Sequence, residues 1–168
     1  MSLQTDIQDI QAQFIDRRQT LALAESCTGG RLAAEVTKVA GSSRYFLGGV
    51  VSYHGSVKEK ILKVPADLIK KHGEVSAQVA LAMAQGARNE LLSDWAVGIS
   101  GVAGPTGGSV DKPVGHVCFA VVGPNYEWSG FRRFGEQRTR DEVQTQSTEF
   151  AAHALLLALD GRNPDASR

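Results

Sequence analysis

The sequence predicts an α/β protein: a three-layer α/β/α single domain built on a mixed sheet of about five strands. Three observations carry that reading. From residue 3 to residue 100, helical spacing of apolar residues alternates with short apolar or β-branched runs, the pattern of parallel strands joined by helical crossovers. Two more strand-like runs then follow with only a short turn between them, which adds an antiparallel hairpin. The 168 residues, 42% apolar and 21% charged, suffice for one sizeable core.

Leu3, Ile7, Ile10 and Phe14 recur at spacings of four, three and four, one face of an N-terminal helix over 3–17. Residues 20–24 (TLALA) are short, apolar and bounded by charge, so a buried strand is expected there. A turn follows at 25–30 (ESCTGG), and helical spacing resumes over 31–39 through Leu32, Val36 and Val39. Residues 41–43 form a loop, and 49–54 (GVVSYH) read as a second strand. Short helices are expected at 56–62 and at 65–71, the latter opened by Pro65 and stopped by Gly73. Ser76 is an N-cap for a helix over 77–92, whose Ala80, Ala84, Ala87 and Leu91 form a face of mostly small residues suited to close packing. Strands are expected at 95–100, 116–122 and 127–134, with a hairpin turn at 123–126. A last helix covers 141–159, and a polar tail over 160–168 is expected to be disordered. One domain spans 1–168, with its core at about 20–159.

Charge and composition remove several classes of function. Lysine plus arginine and aspartate plus glutamate are each 18, so bulk attraction to nucleic acid is excluded, although one specific anion site is not. The longest apolar run, 154–159, is far too short for a membrane span, and the N-terminus lacks the apolar segment of a signal peptide. Cys27 and Cys118 are too few for a disulfide framework, and both read as reduced, buried thiols. A cytoplasmic protein without membrane partners is therefore expected. With no HExxH, no CxxC pair and no EF-hand spacing, no metal is expected either.

Two segments are suited to chemistry. In the first, Glu25 to Gly30, a strand runs through small residues into a helix whose first amides could hold a phosphate or an oxyanion. Ser26 is a candidate nucleophile there, with Cys27, Thr28 and Gly29 around it; on the residues alone, Ser26 or Thr28 serves equally as a simple helix cap. The second is the loop over 101–115, headed by Ser100 and holding five glycines, among them Gly101, Gly107 and Gly108, and two prolines. Long loops without secondary structure are uncommon unless functional, and this one leaves the end of a strand. A nucleophilic serine needs a base. None of His54, His72, His116 and His153 has an evident carboxylate partner. A lysine neutralised by burial is the alternative, and Tyr53 and Lys58 fall at the same sheet edge as Ser26. With Glu59 and Lys60 beside it, Lys58 also fits a solvated surface position. In the charge run 136–142, Arg138 or Arg140 could clamp a phosphate.

Five segments stand in order: AESCTGG at 24–30, GVVSYHGSVKEKIL at 49–62, GEVS at 73–76, SGVAGPTGG at 100–108 and KPVG at 112–115. Together they closely resemble the C-terminal domain family of the competence/damage-inducible protein CinA, over nearly the whole chain. The resemblance implies a nicotinamide-nucleotide amidase, converting nicotinamide mononucleotide to nicotinate mononucleotide and ammonia without a cofactor. It implies Ser26 as nucleophile, Lys58 as base and Tyr53 as a further site residue. The loop hydroxyl falls on Ser100, where the family more often has threonine. The arginine of a G-D-R pattern falls on Arg140, with Thr139 in place of the aspartate and Gln144 where many members have a second arginine. The implied substrate contacts are Cys27, Thr28, Gly29, Ser100, Gly101, Gly107, Gly108 and Arg140. A homodimer is implied as well. The separate N-terminal domain of larger relatives is expected to be absent, with about 19 residues before the first strand. A non-catalytic nucleotide-binding or interaction domain on the same fold is the other reading.

Overall fold

A computed structural model describes residues 2–166. Its elements are α1 (Leu3–Arg17), β1 (Leu21–Glu25), α2 (Arg31–Lys38), β2 (Phe46–Val51), α3 (Gly55–Lys60), α4 (Ala66–His72), α5 (Ala77–Leu91), β3 (Trp95–Gly101), β4 (His116–Gly123), β5 (Tyr126–Arg133) and α6 (Arg140–Leu159), with single 3-10 turns at Ser42–Arg44 and Pro164–Ala166. The five strands lie in the order β2-β1-β3-β4-β5, with β1 parallel to β2 and β3 and the remaining pairs antiparallel.

Alternation along the strands makes two cores. Leu21, Leu23, Val97, Ile99, Phe119 and Val121 face α1, α2 and α6, meeting Ile7, Phe14, Leu32, Val36 and Leu155. The opposite face carries Ala22, Ala24, Ala96, Cys118 and Ala120, and packs on Val79, Ala80, Met83, Ala84 and Ala87 of α5. Small residues on both sides let α5 sit very close. A Cβ on Gly98 would lie 2.2 Å from the Ala80 carbonyl oxygen, and one on Gly86 would lie 1.9 Å from that of Leu62. The three layers and the mixed sheet are as the sequence predicts.

Local signals hold where they are strongest. Ser76 caps α5 by accepting from the Val79 amide, and Thr139 and Glu142 close a reciprocal capping box on α6. The second strand starts three residues earlier than its β-branched run suggests, because Phe46, Gly48 and Gly49 pair with β1 despite two glycines. The tail differs from expectation through Ala166. Asp165 accepts from Trp128 Nε1 and Arg132, and the Arg162 carbonyl accepts from the Tyr126 hydroxyl, so 162–165 are tied to β5. The last two positions of that expected disordered tail lie outside the described residues.

The topology decides where a site can form. As β1, β2 and β3 are parallel, Glu25, Val51 and Gly101 end at one edge, where ligands collect in open α/β sheets. Pairing continues past the strand ends, with the Ser52 amide donating to the Glu25 carbonyl at 2.7 Å and the Ser26 amide to Ile99 at 3.0 Å. Since β4 runs antiparallel to β3, the long loop must return over this same edge.

Candidate active site

Glu25, the last residue of β1, is buried with 2% of its surface exposed. Its carboxylate accepts from the Thr28 hydroxyl at 2.6 Å and from the amides of Gly30, Leu32 and Ala33 at 3.1, 3.2 and 2.9 Å. Four donors compensate its desolvation, and the negative charge sits on the positive end of α2. This corrects the expectation that the helix start is an open anion site: the protein's own carboxylate occupies it. Thr28 consequently faces inward while Gly29 is exposed, neither lines the cleft, and the Gly29 amide closes a turn onto the Ser26 carbonyl. Glu25→Ala leaves three amides and a hydroxyl without their acceptor. A loss of about 3 kcal/mol or more in urea unfolding is expected, with a smaller loss for Glu25→Gln, which keeps one acceptor oxygen.

Held by this turn, Ser26 meets Lys58. Lys58 is 1% exposed, and its Nζ lies 3.2 Å from Ser26 Oγ, 2.8 Å from the Ser52 carbonyl oxygen and 3.4 Å from Glu74 Oε2. The solvated surface position that its charged neighbours allow is therefore not the one it takes, because α3 turns Lys58 inward and Lys60 outward. Burial holds the Lys58 amine below the ordinary lysine pKa, and Glu74 partly opposes that effect. The Cys27 thiol beside Ser26 is pushed up to about 12, chiefly by burial, so it stays neutral and does not compete as a nucleophile.

The cleft holds about 140 Å³ and is lined by Ser26, Cys27, Tyr53, Lys58, Glu74, Val75, Ser100, Gly101, Ala103 and Arg140. Tyr53 stands at its mouth, 55% exposed, and its hydroxyl accepts from Arg140. The other Arg140 nitrogen donates to the Gly104 carbonyl at 2.8 Å, which ties α6 to the long loop. Ser100 is buried and donates to the Glu74 carbonyl at 2.8 Å. Gly107 and Gly108 do not line the cleft: this part of the loop folds on itself through the Ser109 amide and the Lys112 carbonyl, with Lys112 Nζ on the His72 carbonyl. Arg138 pairs with Glu142 instead of reaching the site.

The departures from the G-D-R pattern also have a structural account. Thr139 occupies the N-cap of α6, a position where threonine and aspartate do the same work. Gln144 donates to the Cys27 carbonyl at 2.8 Å and so steadies the turn that carries Ser26. Roles for Glu25, Glu74 and Gln144 escape a reading of the sequence. Only Glu25 has a signal that could have found it, an acid ending an apolar strand just before a glycine turn.

None of the histidines lines the cleft that holds Ser26 and Lys58. His54 caps α3, accepting from the Ser56 amide. His116 stacks on Phe131 and is held below the ordinary histidine pKa by burial. His72 ends α4, and His153 lies 3.5 Å from Asp6 in a larger cleft of about 540 Å³ between α1 and α6. That cleft lacks any lysine beside a hydroxyl. Among the described residues, no three His, Cys, Asp or Glu side chains gather as a metal would require, and no helix is long and apolar enough to cross a membrane.

Comparison with known proteins shows the family and the fold. The family model described as the CinA C-terminal domain matches residues 4–159. A CinA-like protein of Synechococcus sp. strain RCC307 is 50% identical over 147 residues, covering 88% of this chain and 35% of that protein. One from Prochlorococcus marinus strain SARG is 48% identical, covering 85% and 34% respectively. The chain thus spans about a third of the length of the curated relatives it matches. Among solved structures, the competence/damage inducible protein CihA of Agrobacterium tumefaciens is 34% identical with a TM-score of 0.89, covering 95% of this chain and 99% of that one. A CinA superfamily protein of Klebsiella pneumoniae 700603 is 31% identical with a TM-score of 0.90, covering 96% and 99%.

Proposed function

This chain belongs to the CinA C-terminal domain family, and from that premise we propose that it hydrolyses the carboxamide of nicotinamide mononucleotide to nicotinate mononucleotide and ammonia. The observation that carries the proposal is the contact of Ser26 Oγ with a fully buried lysine amine at 3.2 Å. Burial favours the neutral amine, which has a lone pair to accept the serine proton. Ser26 Oγ then attacks the carboxamide carbon. Among the described residues, the Cys27 amide has no acceptor in another residue, and it is the backbone donor best placed for the oxyanion. Lys58 returns its proton to the departing nitrogen, which leaves as ammonia. A water activated by the same amine then releases nicotinate mononucleotide and restores Ser26.

A cleft of about 140 Å³ is smaller than the ~300 Å³ at which pockets for drug-sized ligands begin. It suits the pyridine carboxamide alone. Ribose and phosphate extend past the mouth, where the exposed Tyr53 ring offers its face to the cationic pyridinium and Arg140 offers charge to the phosphate. The riboside lacking phosphate is therefore expected to show kcat/KM lower by about tenfold or more, the scale of one charge-assisted contact. Equal kcat/KM on both substrates would remove Arg140 from phosphate binding. The test of the function itself is ammonia release from nicotinamide mononucleotide by the purified protein, measured with a coupled glutamate dehydrogenase assay. No release above the rate of the Ser26→Ala protein would reject the amidase.

A further inference from the structure

The three neighbours of Lys58 Nζ match its two protonation states. A neutral amine has two N–H groups and a lone pair, and an ammonium has three N–H groups. In the neutral form the lone pair faces the Ser26 hydroxyl, while the N–H groups donate to the Ser52 carbonyl and to Glu74 Oε2. When the Ser26 O–H bond breaks and the Lys58 N–H bond forms, the third donor points at the oxygen now bonded to the acyl carbon. No side chain has to move.

The positive charge so created has one counter-ion among the described residues. Arg140, the other charged side chain lining the cleft apart from Glu74, has the same sign as the ammonium. Ser52, Ser100 and the Cys27 thiol are neutral, and the Tyr53 hydroxyl lies against Arg140. The carboxylate of Glu25 points away, into the amides of α2. That leaves Glu74, whose side chain is 48% exposed.

Two features hold Glu74 there. Its backbone carbonyl accepts from the buried Ser100 hydroxyl at 2.8 Å. Its carboxylate fills the space beside Gly55, where a Cβ would lie 2.6 Å from Glu74 Oε1. Gly55 is helical, so backbone freedom does not call for glycine at that position; room for the carboxylate does.

We propose that Glu74 is the counter-ion that receives the Lys58 ammonium at each proton transfer, with Gly55 and Ser100 as its positioning residues. The catalytic step rests on the amidase reading, whereas the pairing rests on geometry alone. Ser100 on this account acts on Glu74 and not on the substrate.

The test is the pH dependence of kcat/KM, which reports the free enzyme. Glu74 favours the charged amine, so Glu74→Gln is expected to move the ascending limb to lower pH. Because Glu74 is half exposed and its charge partly screened, plateau kcat is expected to fall only about tenfold. Gly55→Ala displaces a flexible carboxylate and is expected to shift the limb in the same direction by less. In the Glu74→Gln background it is expected to add nothing, since the group it displaces no longer carries charge. Titration of Lys58 by carbon NMR of lysine-labelled protein follows the pairing without turnover, and its midpoint is expected to be lower in Glu74→Gln. If the wild type releases no ammonia, the amidase reading fails and this titration still decides the pairing. An unmoved midpoint in Glu74→Gln, or a Gly55→Ala effect as large without the carboxylate as with it, would overturn the proposal.

Discussion

Ser26→Ala is expected to lower kcat for nicotinamide mononucleotide by about 10⁴-fold or more, the scale on which loss of a nucleophile acts. Substrate binding, read by calorimetry on the inactive protein, is expected to stay within about threefold, because the proposed placement gives ring and phosphate other partners. The fold is expected to survive as well. The Ser26 amide keeps its bond to Ile99, and the hydroxyl hydrogen-bonds only with Lys58 among the described residues. Turnover near the wild-type rate in the alanine variant would refute a covalent serine mechanism.

Lys58→Met and Lys58→Arg are expected to be inactive, by a factor approaching that of the serine variant. Methionine has no proton acceptor of use, and a guanidinium stays protonated at any working pH. An active arginine variant would move the base elsewhere. The methionine variant also carries a signature in stability. With its pKa depressed in the folded state, Lys58 binds fewer protons there than in the unfolded chain. The sign then follows from linkage. Lys58 costs stability below its folded pKa, and that cost disappears as pH rises through the folded value to the ordinary lysine value. Urea unfolding across that window should show the wild type gaining on Lys58→Met as pH increases. The difference between the two proteins is the informative quantity, because Cys27 and Tyr45, both raised to about 12 by burial, act in the opposite direction in each. A melting temperature at a single pH is less informative, since methionine leaves the Ser52 carbonyl without its donor.

The elements of the fold were legible because their signals are short-range. Ser76 and Thr139 cap their helices with their own side chains, and α1 buries Ile7, Ile10 and Phe14 on the face that their spacing marks. That the AESCTGG turn and the long glycine loop share one sheet edge was legible for a similar reason. Both leave strand ends, and parallel strands bring those ends together. The start of β2 was less legible: tertiary pairing with β1 recruits Gly48 and Gly49 into the strand against their low propensity. The ordered tail was equally hidden, because Asp165 finds its partners more than thirty residues back along the chain.

The sequence by itself determined the layer architecture, the order of the elements and the edge at which chemistry can occur. It also marked a serine and a lysine as candidates, but not their relation. Lys58 is followed in the chain by charged Glu59 and Lys60, and only the packing of α3 under the sheet edge takes it out of water and against Ser26, 32 residues away in sequence. The start of α2 reads as an anion site until Glu25 is seen to fill it. Burial, partner choice and proton affinity are properties of neighbours in space. A side chain acquires them from residues that local patterning cannot bring into view.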